Sequence, residues 1–410
     1  MFLVDSAEHH GCHPRIDAPL FIARLGYAQQ RLINLLLAGG VRMTVSPLYY
    51  VATNPQLALF PGAKNHLGLA LDPCVHLRQL PFTQRAPSFR ALRWGAGPQA
   101  FDPDHDPIDA AELAALAITP LELQRNRGAT LLQTSAHLTG PVGTRGRELD
   151  LLLARAGIAH FRAQRMDEPP QLAANPIRRE IYATIAIEIG QLRSPAVRSA
   201  LCEAYLALAA DGLWVKLAGF DERAARADIR AGGAFLAELR DAGRSVLCDQ
   251  PGQLHLGLLA DGLSAAVGIA EGERFRFPTN WQNPTPEKKR PGRRRSAYNA
   301  KLLRSYLLGG EAATRAFAEA ACSCGRHPRH EPPRDGHIAE EHAAIIRCLQ
   351  AHEALDGELQ DRREWVLAAA AMAMHIAHDI GVDYLAPAVF EELFIGLDRG
   401  DDRQLQASYP

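Results

Sequence analysis

The sequence contains no apolar run as long as the ~20 residues that a membrane-spanning helix requires. Its nearest approach, residues 366–374, is short and rich in alanine. An excess of charge is also missing, because 45 basic and 46 acidic residues leave a formal net charge of -1. The chain as a whole therefore makes no electrostatic case for binding nucleic acid, and any such case must come from a local patch.

Cysteine is sparse, and the pattern of a secretory signal peptide is missing. The seven cysteines are an odd number and are scattered, except for Cys322 and Cys324. We therefore expect a protein of the reducing cytoplasm, where clustered cysteines are more often metal ligands than a disulfide. The apolar fraction of 47% and the charged fraction of 22% are typical of a globular protein. Composition leaves the oligomeric state open.

Residues 211–269 carry the clearest structural pattern in the chain. Three apolar strands alternate there with two helices, with predicted bounds of 213–217, 223–242, 245–248, 253–260 and 263–269. Strict alternation of strands and helices predicts parallel pairing, because each right-handed crossover returns the chain to the same edge of the sheet.

Further strands are predicted near residues 2, 42, 130, 159 and 183, which makes eight in all. Eight strands with intervening helices predict a (β/α)8 TIM-like barrel, a fold of ~250 residues. An open doubly wound sheet is the alternative, although no glycine-rich fingerprint follows an early strand. We expect the barrel over residues 1–275, with an irregular insertion at about 50–108. A basic connection and metal element follow over 276–355, and a helical segment over 356–410.

Polar side chains follow several of the predicted strands. In a barrel these strand ends meet over one opening, where active sites lie. The candidates for catalysis are Glu188, Asp221 and Asp249, and those for substrate binding are His137, Lys216 and Gln250. Glu188 stands among three isoleucines, an apolar setting of the kind that raises the pKa of a carboxyl group. For any single one of these residues, a loop cap or a core ion pair is the competing interpretation.

The segment Cys322-Ser-Cys324-Gly-Arg-His327 has the spacing of a metal-binding turn. Zinc prefers four sulfur or nitrogen ligands in a tetrahedron, and this turn supplies three. His342, on the helix that follows, is the predicted fourth ligand, with His330 and His337 as alternatives. A closed site of this kind would be structural. The competing interpretation is two ordinary cysteines before a histidine-rich surface loop.

Residues 288–304 concentrate positive charge. Arg293, Arg294, Arg295 and Lys301 are the predicted contacts to a phosphate backbone of RNA or DNA. Tyr298 and Tyr306, at helical spacing with neighbouring leucines, are available for stacking on bases. A solvated basic linker without a partner is the alternative.

The order of these parts over residues 180–355 resembles that of the tRNA-guanine transglycosylases and their DNA-acting relatives. The resemblance implies a barrel with a zinc element whose motif is Cys-x-Cys-x-x-Cys followed by a distant His. Cys322 and Cys324 match the first two ligands, His327 stands in place of the third cysteine, and His342 is nearest to the last. The catalytic aspartate of that family is not matched, because residues 263–268 contain none. Asp249 or Glu188 would take that role.

These observations favour an enzyme that acts on a base or ribosyl group in nucleic acid. Base exchange requires a carboxylate nucleophile and a general acid–base group at one sugar. Two alternatives remain: a barrel that binds nucleic acid without catalysis, and a barrel enzyme for a small molecule whose basic segment is only a linker.

Overall fold

The computed structural model describes residues 20–22, 56–59, 69–70, helical positions between 110 and 122, 131–136, 140–166, 180–268 and 296–398. The strands are Leu20–Ile22 (β1), Gln56–Leu59 (β2), Leu69–Ala70 (β3), Leu131–Gln133 (β4), Glu180–Glu188 (β5), Gly212–Ala218 (β6), Ser245–Asp249 (β7), Ser264–Gly268 (β8), Ser296–Asn299 (β9) and Arg304–Leu307 (β10). The α-helices are Arg145–Met166 (α1), Pro195–Leu206 (α2), Arg226–Asp241 (α3), His255–Ala260 (α4), Glu311–Glu319 (α5), Gly336–Ala354 (α6), Leu359–Ile380 (α7) and Ala388–Asp398 (α8).

Five consecutive strands, β4 to β8, form a parallel sheet in chain order. Helices α2, α3 and α4 connect the strands from β5 onwards, so the predicted βα alternation over residues 211–269 is confirmed. The sheet curves into half a barrel. Its carboxyl edge holds the ends of β5, β6 and β7, and this edge carries most of the candidate site residues.

The predicted (β/α)8 barrel is wrong. Hydrogen-bonded pairing does continue beyond the half-barrel through β3, β1 and β2. Those segments are only two to four residues long. In addition, β2 runs antiparallel to both β1 and β8. A (β/α)8 barrel requires eight parallel strands joined by helical crossovers, and these short segments, of which β2 is antiparallel, do not meet that requirement.

The strand predicted near residue 159 is also wrong, because residues 158–163 lie inside α1. The buried side chains of this segment recur at helical spacing, with Leu151, Ala154, Ile158 and Phe161 in the core. A short apolar run does not by itself distinguish a buried strand from a buried helix face. The strands predicted near residues 2 and 42 lie outside the described residues.

The two faces of the half-barrel differ in what covers them. Ile185 of β5 and Val215 of β6 face the helices and belong to the main apolar core. The inner face alternates with them and carries a second, smaller cluster, composed of Leu131, Tyr182, Trp214, Leu247 and Ala266. Because side chains alternate along a strand, Lys216 and Asp249 share the inner face with this second cluster.

The C-terminal helices pack onto the outer face of the half-barrel. Phe390 and Leu393 of α8, together with Val366 of α7, lie in the same core as the strands. Helix α8 approaches α3 closely, since a Cβ on Gly233 would lie 2.9 Å from the carbonyl oxygen of Leu393. None of the helices in the described ranges has the combination of length and apolar character needed to cross a membrane.

The basic segment ends in a β-hairpin, β9–β10, where the spacing of the tyrosines and leucines predicted a helix. Leu302 and Tyr306 pack against α5 and α7. The hairpin thereby lies beside the loop that contains Cys322 and Cys324, and it contacts α6, on which His342 is placed.

Candidate functional site

Four side chains converge next to the hairpin. Cys322, Cys324, His327 and His342 each offer one ligand atom, and these atoms all lie within 4.8 Å of one another. Nδ1 of His342 lies 3.4 Å from Sγ of Cys322 and 3.1 Å from Nε2 of His327. The predicted group of four is therefore confirmed as a cluster that can hold a metal ion. Of the alternative fourth ligands, His330 instead contacts the carbonyl oxygen of Ala318, at 2.8 Å.

Backbone carbonyl groups fix the tautomers of both histidines. A carbonyl oxygen only accepts, so Nε2 of His342 donates to Tyr298 and Nδ1 of His327 donates to Pro328. The other nitrogen of each neutral ring then directs a lone pair towards the cluster. Two lone pairs 3.1 Å apart repel unless a proton or a metal ion shares them. Histidine ligands in metal sites are held by hydrogen bonds of this same kind.

The two sulfur atoms accept hydrogen bonds from the turn itself. The backbone N–H of Cys324 donates to Sγ of Cys322, and that of Arg326 donates to Sγ of Cys324, both at 3.3 Å. A hydrogen bond between the two side chains favours one thiolate: it lowers the pKa of Cys324 and raises the pKa of Cys322. Burial opposes the charge on His327, but the Cys324 thiolate overcomes this and raises the pKa of His327. The turn thus stabilises a thiolate next to a positively charged group or ion.

The elements around the cluster hold it closed. Cys322 donates its backbone N–H to the carbonyl oxygen of Arg329 at 2.7 Å, which ties the two sides of the loop together. Phe317 of α5 packs against the rings of His327 and His342, with centroids 5.6 and 5.8 Å away. Cys322, Cys324 and His342 are buried. The donor set of two sulfurs and two nitrogens is typical of structural metal sites.

A second polar group occupies the inner face of the half-barrel. Lys216 of β6 and Asp249 of β7 form an ion pair whose side chains are both 0% exposed. Nε1 of Trp214 donates to the same oxygen of Asp249, Oδ2, at 3.1 Å. Lys216 therefore points into the half-barrel, and its direct partner is Asp249. Because the pair is closed off from solvent, direct contact between Lys216 and a substrate would need this arrangement to open.

The turn that follows Asp249 is tightly held. Gln250 is buried and has φ of 53°, a left-handed conformation that a non-glycine residue adopts at a cost of about 1–3 kcal/mol. Its backbone N–H bonds to the carbonyl oxygen of Ala266 at 2.8 Å. The carboxylate of Glu222 accepts the backbone N–H of Gln253 at 3.0 Å, across the strand-end loops of β6 and β7. Strained, well-anchored turns of this kind concentrate at functional sites.

The remaining strand-end candidates lie in different environments. Asp221 is buried, and its Oδ1 accepts the backbone N–H of Arg223 at 2.7 Å, as a turn-stabilising residue does. Glu188 is exposed, and the flanking isoleucines of β5 face the helices instead, so the predicted apolar setting is wrong. The register nevertheless places Glu188 on the same face of the sheet as Lys216 and Asp249. His137 lies outside the described residues.

The basic segment is described only in part. Lys301 is exposed, whereas Arg293, Arg294 and Arg295 lie outside the described residues. The prediction that Tyr298 and Tyr306 stack on bases is wrong for this arrangement, because both side chains are buried. The hydroxyl group of Tyr298 donates to Gln350 at 2.8 Å, and that of Tyr306 donates to the carbonyl oxygen of Asp383 at 3.0 Å.

Three residues next to these sites were not predicted from the sequence. Trp214 could have been found, because strand alternation places it on the same face as Lys216. His255 and Arg347 are both fully buried, and Nε2 of His255 lies 3.3 Å from the guanidinium group of Arg347. They are 92 residues apart in the chain, and no local pattern connects them.

Comparison with protein-family models, curated proteins and solved structures finds no match to this chain. Function must therefore be inferred from the chemistry of the sites themselves.

Proposed function

We propose that Cys322, Cys324, His327 and His342 bind one Zn²⁺ ion with a structural role. The observation that carries this proposal is that two sulfur atoms and two histidine nitrogens lie within 4.8 Å of one another. Zn–S and Zn–N bonds of ~2.3 and ~2.0 Å place tetrahedral ligand atoms ~3.3–3.8 Å apart, close to the separations around His342. All four positions are taken by protein, so no site remains for a substrate. Thiolate ligands require reduced cysteines, which favours a reducing compartment such as the cytoplasm.

Metal analysis of the purified chain tests this proposal. We expect about one zinc per chain, and loss of that zinc in Cys322→Ser and in His342→Ala. Cys202→Ser is the matched control, because Cys202 is another buried cysteine, lies on α2 and is not part of the cluster. If Cys322→Ser retains as much zinc as Cys202→Ser does, the cluster is not a zinc site.

For the half-barrel, we propose catalysis on a base or ribosyl group in nucleic acid. Support comes from a carboxylate at the end of β7, an exposed carboxyl group at the end of β5 on the same face, and the exposed Lys301 next to the segment containing Arg293, Arg294 and Arg295. Asp249 would act as the nucleophile and Glu188 as the acid–base group. The strand ends must open for a sugar to reach Asp249.

Incorporation of labelled free guanine into RNA or DNA tests the catalytic proposal. We expect Asp249→Asn to lower the rate at least about 100-fold, as loss of a reacting group does. Glu203→Gln is the control, since Glu203 is an exposed carboxyl group on α2. An unchanged rate in Ala variants of Asp249, Glu188 and Asp221 would contradict the assignment.

The same assay separates the two alternatives. A protein that only binds nucleic acid would show salt-dependent binding without exchange, and Ala at Arg293, Arg294 and Arg295 would abolish that binding. An enzyme for a small molecule would show neither exchange nor affinity for nucleic acid, and would bind a metabolite instead.

A further inference from the structure

The metal cluster and the strand-end turn are connected by buried side chains. The first step runs from the cluster to the hairpin. Nε2 of His342 donates to the carbonyl oxygen of Tyr298 on β9, and the Tyr298 hydroxyl group donates to Gln350 of α6. Gln350 in turn donates to the carbonyl oxygen of Ala300 at 3.0 Å. Any ion that fixes His342 therefore also fixes α6 against β9.

The second step runs through Arg347 of α6. This side chain is fully buried, and its guanidinium carbon lies 4.1 Å from the centroid of the Tyr298 ring, within the range of a cation–π contact. On its other side the guanidinium group approaches Nε2 of His255, at the start of α4. Arg347 thus joins the hairpin to the half-barrel.

The third step runs from His255 to the turn. Nδ1 of His255 donates to the carbonyl oxygen of Gly252 at 2.9 Å, which leaves Nε2 to accept from Arg347. Burial and the positive charge of Arg347 lower the pKa of His255, in agreement with this neutral ring. Gly252 closes the turn that begins at Asp249, and the conformation of Gln250 shows that this turn is held by its surroundings.

We propose that Arg347 and His255 are positioning residues that transmit the state of the Cys/His cluster to the 249–252 turn, and thereby set the position of Asp249. The proposal rests on metal binding by the cluster. Asp249 is the nucleophile of the proposed enzyme. Metal binding at the cluster would therefore control the geometry of the strand-end site across α6.

Two spectroscopic signals read the two ends of this link separately. Co²⁺ bound to thiolates absorbs light and reports on the cluster. The indole N–H of Trp214, which bonds to Asp249, reports on the strand end and is assigned with Trp214→Phe. The full-length chain is measured after chelation and again after addition of Co²⁺ for absorption, or Zn²⁺ for NMR.

In the wild type we expect the Trp214 indole signal to shift on addition of metal. In Arg347→Met we expect unchanged Co²⁺ absorption, a Trp214 signal that no longer responds to metal, and exchange of the Gln253 amide about tenfold faster than in the wild type. Arg363→Met is the matched control. Arg363 also anchors a C-terminal helix to the half-barrel, through Asp261, but does not contact the turn.

The proposal is overturned if the Trp214 signal still responds to metal in Arg347→Met. It is also overturned if the wild-type Trp214 signal does not change when metal binds. Absence of Co²⁺ absorption in the wild type would instead overturn metal binding itself, and the link with it. If Arg347→Met does not fold, the same measurements are made on His255→Gln, which removes the ring that bonds to Gly252. The same outcomes are expected for that variant.

Discussion

At the residue scale, the buried pair Lys216–Asp249 is the most consequential feature of the half-barrel. Removal of one partner leaves the other charge buried without its counterion. We expect Asp249→Ala to lower the free energy of unfolding by about 3–5 kcal/mol. We expect the double variant Lys216→Met/Asp249→Leu to recover most of that loss, because both charges are gone. Urea unfolding measures both; a cost below about 1 kcal/mol for Asp249→Ala would contradict the buried pairing.

A second residue-scale prediction concerns pH. The pKa of His255 is lowered in the folded chain by burial and by Arg347. Below pH ~6.5 the unfolded chain takes up a proton on this ring and the folded chain does not, so stability falls as pH falls. From pH 6 to pH 5 we expect the wild type to lose up to about 1.4 kcal/mol more than His255→Gln. Parallel stability–pH curves for the two proteins would contradict the neutral buried ring.

At the element scale, the contact between α3 and α8 depends on glycine. A Cβ on Gly396 would overlap the carbonyl oxygen of Arg230. The helices therefore pack with almost no space between their backbones. Alanine normally stabilises a helix relative to glycine, but here the overlap should dominate.

We expect Gly396→Ala to destabilise the chain by about 1–3 kcal/mol, measured by urea unfolding. Gly190→Ala is the control, because a Cβ at that exposed position meets nothing within 4 Å. Its effect should stay within about 0.5 kcal/mol. Equal effects of the two substitutions would show that α8 tolerates a wider separation from α3.

At the scale of the whole molecule, one apolar core joins the half-barrel strands to α7 and α8. The metal element attaches to this core through α6. We therefore expect cooperative unfolding, in which thiolate–Co²⁺ absorption and far-UV helicity are lost at the same urea concentration. Two separate midpoints would show that the metal element unfolds independently.

The metal cluster was predictable from sequence because its determinants are local. Three ligands lie within six residues and the fourth follows on the next helix, so spacing alone restricts the geometry. The βα alternation from Gly212 to Gly268 was predictable for the same reason, since hydrophobic periodicity is a property of neighbouring residues.

Three further features were decided only by the tertiary structure. Whether the strands complete a parallel ring depends on pairing between distant segments, and β2 joins β8 in the opposite direction. Whether a polar side chain is buried depends on what packs over it, which is why Glu188 is exposed while Lys216 is closed off. The contact between His255 and Arg347 exists only because α6 folds back onto α4. The spacing of residues in the sequence does not predict a contact of this kind.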